Sequence, residues 1–151
     1  MRNALLRCLT ALLAGVALAL VSALMGWGLA TRSPVVFEVL RDRNPTFVRL
    51  DDGSVRNGYT LKIDNRSFEP RAFQVSLAGL AGETMQTPGA KPTVGPLSVT
   101  VAPNQVQSLR VLVRAPPAAL VARSLPVNFV LGEPHRSWRA ASTFLSADVA
   151  P

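Results

Sequence analysis

VVFEVLRDRNPTFVRLDDGSVRNGYTLKIDN, Val35 to Asn65, sets the architecture of the chain. Near its end Tyr59, Leu61 and Ile63 alternate with Thr60, Lys62 and Asp64. Successive side chains of an extended strand point to opposite faces, so this pattern puts one face in a core and the other in water. Asp52-Gly53 ahead of it signals a turn, because glycine takes positive φ without steric cost. Two further apolar runs, Val35–Leu40 and Phe47–Leu50, lie on either side of the charged segment Arg41, Asp42, Arg43 and Asn44. Short strands joined by tight turns predict an antiparallel sheet.

The downstream chain repeats the pattern. Phe73, Val75 and Leu77 alternate with polar or small residues, as do Leu97, Val99 and Val101, then Leu109, Val111 and Val113, with Arg110 and Arg114 outward. A brief strand is expected near Met85, inside a stretch rich in Gly, Pro and Thr. Pro116-Pro117 breaks the pairing, since proline cannot donate to a ladder. Ala118–Arg123 is expected to make one helical turn, Val127–Leu131 a strand, and Trp138–Leu145 the closing strand. Seven to eight short strands with no long helix among them predict an all-β, immunoglobulin-like antiparallel sandwich. The antibody hallmarks are missing, because there is no cysteine pair and Trp138 falls in the last strand.

Upstream the chemistry changes. Cys8 to Thr31 is a run of 24 positions without a charge. As a helix it spans about 36 Å, enough to cross a hydrocarbon core of about 30 Å with some tilt. Trp27 suits the interface. The run exceeds the apolar core of a cleavable signal, which favours an uncleaved anchor. The alternative is cleavage near Ala30, which would release a secreted, ligand- or surface-binding sandwich. The basic residues flanking the span, Arg2 and Arg7 before it against Arg32, Arg41 and Arg43 after it, do not favour an inside N-terminus. A short tail followed by a folded domain is nonetheless the layout of a signal anchor. It predicts a cytoplasmic N-terminus and a single-pass protein of the inner membrane with its domain in the periplasm. The expected division is an anchor over 1–32, a sandwich over 33–147 and a tail over 148–151.

The chain is basic, with formal net charge +7. Its arginines are scattered in sequence, which argues against nucleic acid, where a patch and a recognisable module are expected. Cys8 is the single cysteine. It excludes an intrachain disulfide and a self-contained iron–sulfur site. His135 is also single and lies in a Gly-Glu-Pro-His-Arg turn, so neither a metal site nor nucleophilic catalysis has its partners. No catalytic, cofactor or metal residue is expected, and the chain is read as a non-enzyme. Tyr59 and Trp138 read as core aromatics. The segment Arg41, Asp42, Arg43 and Asn44 reads as a charged turn pairing locally. Its sharper reading is a docking surface close to the membrane, since it follows the helix exit by about ten residues.

The Arg-Asp-Arg-Asn segment, the Asp52-Gly53 turn and Asn57-Gly58-Tyr59-Thr60-Leu61-Lys62-Ile63-Asp64-Asn65 resemble the C-terminal region of the FixG/CcoG family of cytochrome c oxidase accessory proteins. Gly28–Arg32 and Val99–Pro103 fall where that family's helix exit and a later strand lie. The resemblance runs from Trp27 to Leu145. It implies an immunoglobulin-like domain and an association with assembly of a cbb-type oxidase. The implied partners are the membrane and either oxidase subunits or a separate ferredoxin-like accessory protein. The family's redox chemistry rests on cysteine clusters, which are absent here, so no redox centre is carried over. The implied status is a split, truncated or stand-alone relative.

Overall fold

The computed structural model describes residues 2–31 and 33–146. The 148–151 tail expected from sequence lies outside them. The chain separates into two compact units, Met1–Ser33 and Pro34–Pro151.

The first unit is one helix, α1 (Arg2–Ala30). Its stretch Thr10–Leu29 is long and apolar enough to cross a membrane. Leu12, Leu18, Leu20, Leu24 and Trp27 all face outward from the protein, as lipid-facing side chains must.

The second unit is a sandwich of nine strands among the described residues: β1 (Val35–Arg41), β2 (Val48–Arg49), β3 (Val55–Asn65), β4 (Arg71–Ala78), β5 (Thr84–Gln86), β6 (Leu97–Val101), β7 (Gln105–Ala115), β8 (Ser124–Glu133) and β9 (Arg136–Leu145). One sheet has the order β1-β3-β7-β5, with β2 also paired to β3; the other runs β6-β4-β8-β9. Every pairing is antiparallel. The short β2 and β5 fall where the sequence places an apolar run at Phe47–Leu50 and a brief strand near Met85; the expected total of seven or eight is one or two short. The helical turn expected at Ala118–Arg123 is instead a 3-10 turn at Pro117–Ala119, started one residue earlier because proline is preorganised for a first helical position.

β3 is the spine of its sheet. It pairs along its whole length with β7, and on its other edge with β1 and then β2. Its inward residues Val55, Tyr59, Leu61 and Ile63 meet Phe73, Val75, Phe129 and Leu131 of the facing sheet in one core. The Tyr59 and Phe129 rings meet edge to face at 4.8 Å, a preferred aromatic geometry. Trp138 is half-buried at the core margin, edge-on to Phe73 at 6.0 Å.

The strand directions define two ends. Pro34, the β3–β4 loop, the β6–β7 turn and the β8–β9 turn share one end, since Val35 pairs with Asn65, Asn65 with Gln105, and Arg71 with Val101. The Arg41–Asn44 turn lies at the other. Six residues of β1, Val35 to Leu40, lie between Pro34 and Arg41, a span of about 23 Å at strand rise. Nearness in sequence to Pro34 therefore does not put this turn at the Pro34 end of the sandwich, because the intervening residues are extended.

Candidate functional site

The Arg41–Asn44 segment divides by strand alternation. Arg41 pairs across from Tyr59 and points to the core side, with one guanidinium nitrogen (Nη1) buried and unpaired. Asp42 points to the outer face. Its amide donates to the Gly58 carbonyl at 2.9 Å, and its carboxylate accepts from Arg110 Nη2 at 2.7 Å. The pairing is not local, as expected from sequence, but bridges 68 positions. Gly58 leaves room for it, since a Cβ there would push the Asp42 carboxylate out of this position. Arg43 and Asn44 are exposed. The four residues thus serve three different environments, and only Arg43 and Asn44 are free for a partner.

Arginines that look scattered in sequence gather on the outer face of this sheet. Arg56 lies directly across from Arg114, and Thr60 across from Arg110. Like charges placed opposite one another are unfavourable. Arg110 is offset by Asp42. Arg114 is offset by Asp52 and donates to Ser54 Oγ at 2.8 Å. The Ser54 hydroxyl and amide, and then the Arg114 guanidinium, hold the Asp52 carboxyl below its usual range. Beside these pairs lies a cleft of about 340 Å³, walled by Pro45 and Pro88, floored by Gly58 and Leu112, and lined by Arg56 and Arg110. A larger, shallow groove of about 520 Å³ crosses the outer face of the other sheet at Ala72, Gln74, Thr100 and Gly132. Phe73, Val99 and Pro134 also line it, and Glu133 is the one charged side chain in its lining, so it offers no comparable grouping of charge.

The interior holds the second polar feature. Tyr59 donates its hydroxyl to the Thr143 carbonyl at 3.0 Å, tying the two sheets together. Burial pushes its phenol up to about 12, against smaller downward effects of the Asn57 amide and the Arg41 guanidinium. Asn57 is close enough to act on the phenol, yet neither of its polar atoms makes a hydrogen bond of acceptable geometry. Asn65 is the opposite case. Its Nδ2 donates to the carbonyls of Glu69 (2.9 Å), Ala102 (3.1 Å) and Val101 (3.2 Å). Its Oδ1 accepts from the Ser67 amide (3.1 Å) and hydroxyl (2.6 Å).

Among the described residues no three His, Cys, Asp or Glu side chains come together as metal ligands would. His135 is exposed in the β8–β9 turn. Sequence reasoning missed Arg56, Arg110 and the cleft between them, because its lining comes from five separate segments. The signal that could have shown it is the outward phase of Arg56 and Arg110 on strands predicted to pair.

These features define an immunoglobulin-like β-sandwich carried behind a helix of membrane-spanning length. The family described as "IG-like fold at C-terminal of FixG" matches residues 25–147. The chain belongs to that family. Nitrogen fixation protein FixG of Rhizobium meliloti is 38% identical over 91 residues, covering 60% of this chain and 17% of that protein. Protein RdxB of Cereibacter sphaeroides is 37% identical over 118 residues, covering 76% of this chain and 23% of that protein. The crystal structure of a FixG-related protein from Vibrio parahaemolyticus is similar with a TM-score of 0.63 at 24% identity, over 76% of this chain and 97% of that one. The last likeness concerns the fold. The chain spans about a fifth of the length of the curated relatives it matches.

Proposed function

We propose that this chain is a membrane-anchored periplasmic module that works by protein–protein contact, without catalysis or a redox centre of its own. Its role in this reading is accessory to assembly of a cbb-type cytochrome c oxidase. The observation that carries the proposal is the FixG C-terminal match, which begins inside α1 and runs through the sandwich. The oxidase association rests on the family resemblance. The partner is an oxidase subunit or a separate ferredoxin-like accessory protein in the same membrane.

The docking element in this reading is the Arg41–Asn44 turn. Its exposed members Arg43 and Asn44 run into Pro45, which forms one wall of the arginine-lined cleft. Arginine makes bidentate contacts with carboxylates, so an acidic partner surface suits it. Arg41 is a poor probe, because its partly buried guanidinium supports the fold. Arg43 is the useful one. Arg43→Glu is expected to leave the melting temperature unchanged, as exposed surface substitutions generally shift stability by about 0.5 kcal/mol or less. Recovery of oxidase subunits or the ferredoxin-like protein with the tagged chain is expected to fall roughly tenfold, the equivalent of about 1.4 kcal/mol. Unchanged recovery with an unchanged melting temperature would remove the turn from the contact surface.

A further inference from the structure

Phe68 is the most exposed large apolar side chain of the sandwich, with 89% of its surface open. Its loop is not loose. Asn65, itself fully buried, makes five hydrogen bonds across and beneath it. Ser67 Oγ donates to the Glu69 carbonyl at 3.0 Å, and the Asn104 amide to the Ser67 carbonyl at 3.1 Å. A buried polar network therefore holds an aromatic ring out in solvent.

The location says what it touches. The Arg66 amide donates to the Pro34 carbonyl at 2.8 Å, so Phe68 stands two residues from the point where the chain enters the sandwich. Residues 31–33 alone separate that point from the last residue of α1. Four Cα steps cover at most about 15 Å. Pro34, the first residue of the sandwich, is therefore tethered to the last residue of α1 by no more than that length of chain. Val106, also exposed, lies at the same end, across from Asp64. The charges nearby suit the headgroup layer. Arg66 is paired with Asp64 at 2.7 Å, Arg71 with Glu133 at 2.7 Å, and Glu69 and Arg136 are exposed.

We infer that the Ser67–Pro70 loop is a second membrane contact, with Phe68 seated at the headgroup–acyl boundary of the bilayer that holds α1. This rests on reading α1 as a retained anchor. One aromatic ring cannot hold a protein on a membrane alone, but beside a span it needs only to set orientation.

The test uses the full chain with Cys8→Ser, reconstituted in phosphatidylcholine vesicles and labelled with bimane at Glu69→Cys. Nitroxide placed near the headgroups of the lipid is expected to quench this probe, and Phe68→Ala to reduce the quenching roughly twofold or more. The same label at Val121→Cys, in the loop at the far end, is expected to stay unquenched. Vesicle flotation is read on the same samples. Flotation with equal quenching at 69 and 121, or with no effect of Phe68→Ala, overturns the loop contact and leaves the anchor standing. Failure to float overturns the anchor reading and the loop contact with it.

Discussion

Asn65→Ala is expected to lower unfolding stability by about 2–4 kcal/mol, read as a fall in the denaturant midpoint of the full chain in detergent. Each unsatisfied buried polar group costs about 1–3 kcal/mol, and partial entry of water into the vacated site moderates the sum. The substitution strips the Glu69, Ala102 and Val101 carbonyls of their donor and the Ser67 amide and hydroxyl of their acceptor. It therefore unties the β3–β4 loop from the β6–β7 turn. Asn65→Asp should be no better, since it sets a carboxylate against three carbonyl oxygens. Asn57→Ala is the control. Asn57 is equally buried, but its amide atoms make no hydrogen bond of acceptable geometry and only approach the Tyr59 phenol, so it should cost clearly less. Equal losses at 57 and 65 would mean that burial, not the hydrogen-bond set, accounts for Asn65.

The second large effect is alkaline unfolding through Tyr59. This is the single tyrosine of the chain, so tyrosinate absorbance reports it alone. Burial raises its folded-state value from 10.0 to about 12. The sign follows from linkage: the neutral phenol is preferred in the folded state. That preference contributes fully below pH 10 and is lost as the pH climbs toward 12. The tyrosinate signal should lag a model tyrosine above pH 10 and then rise together with loss of near-ultraviolet dichroism. Tyr59→Phe should cost about 1 kcal/mol at neutral pH by removing the bond to the Thr143 carbonyl. It should also remove the unfolding step between pH 10 and 12. Ordinary titration near pH 10 without unfolding would show that the ring is not enclosed as described.

Much of the sandwich is legible in the sequence because burial follows strand alternation. Tyr59, Leu61 and Ile63, and later Val111, Val113, Phe129 and Leu131, are all buried as their phase requires. The Asp52-Gly53 turn is equally legible, with Gly53 at φ +79°. Partners across strands are not. The outward phase of Arg110 and Arg114 follows from alternation, but their pairing with Asp42 and Asp52 depends on register between segments some sixty residues apart. The role of Asn65 is hidden for the same reason, since two of its acceptors belong to the β6–β7 turn. The Arg41–Asn44 segment was the least legible. A run of polar residues looks like one surface, yet the last turn of strand phase sends Arg41 inward and Asp42 outward. Extension along β1 then carries the whole segment away from Pro34, where the sandwich begins.

The central claim is that this immunoglobulin-like domain is held on the periplasmic side of a membrane by an uncleaved α1. Its most direct test is cell fractionation, with N-terminal sequencing and protease added to spheroplasts. The expected result is a chain with an intact N-terminus, resistant to urea extraction from the membrane pellet, whose sandwich is cut only by protease added from outside. A soluble periplasmic chain beginning just after Ala30 would contradict it.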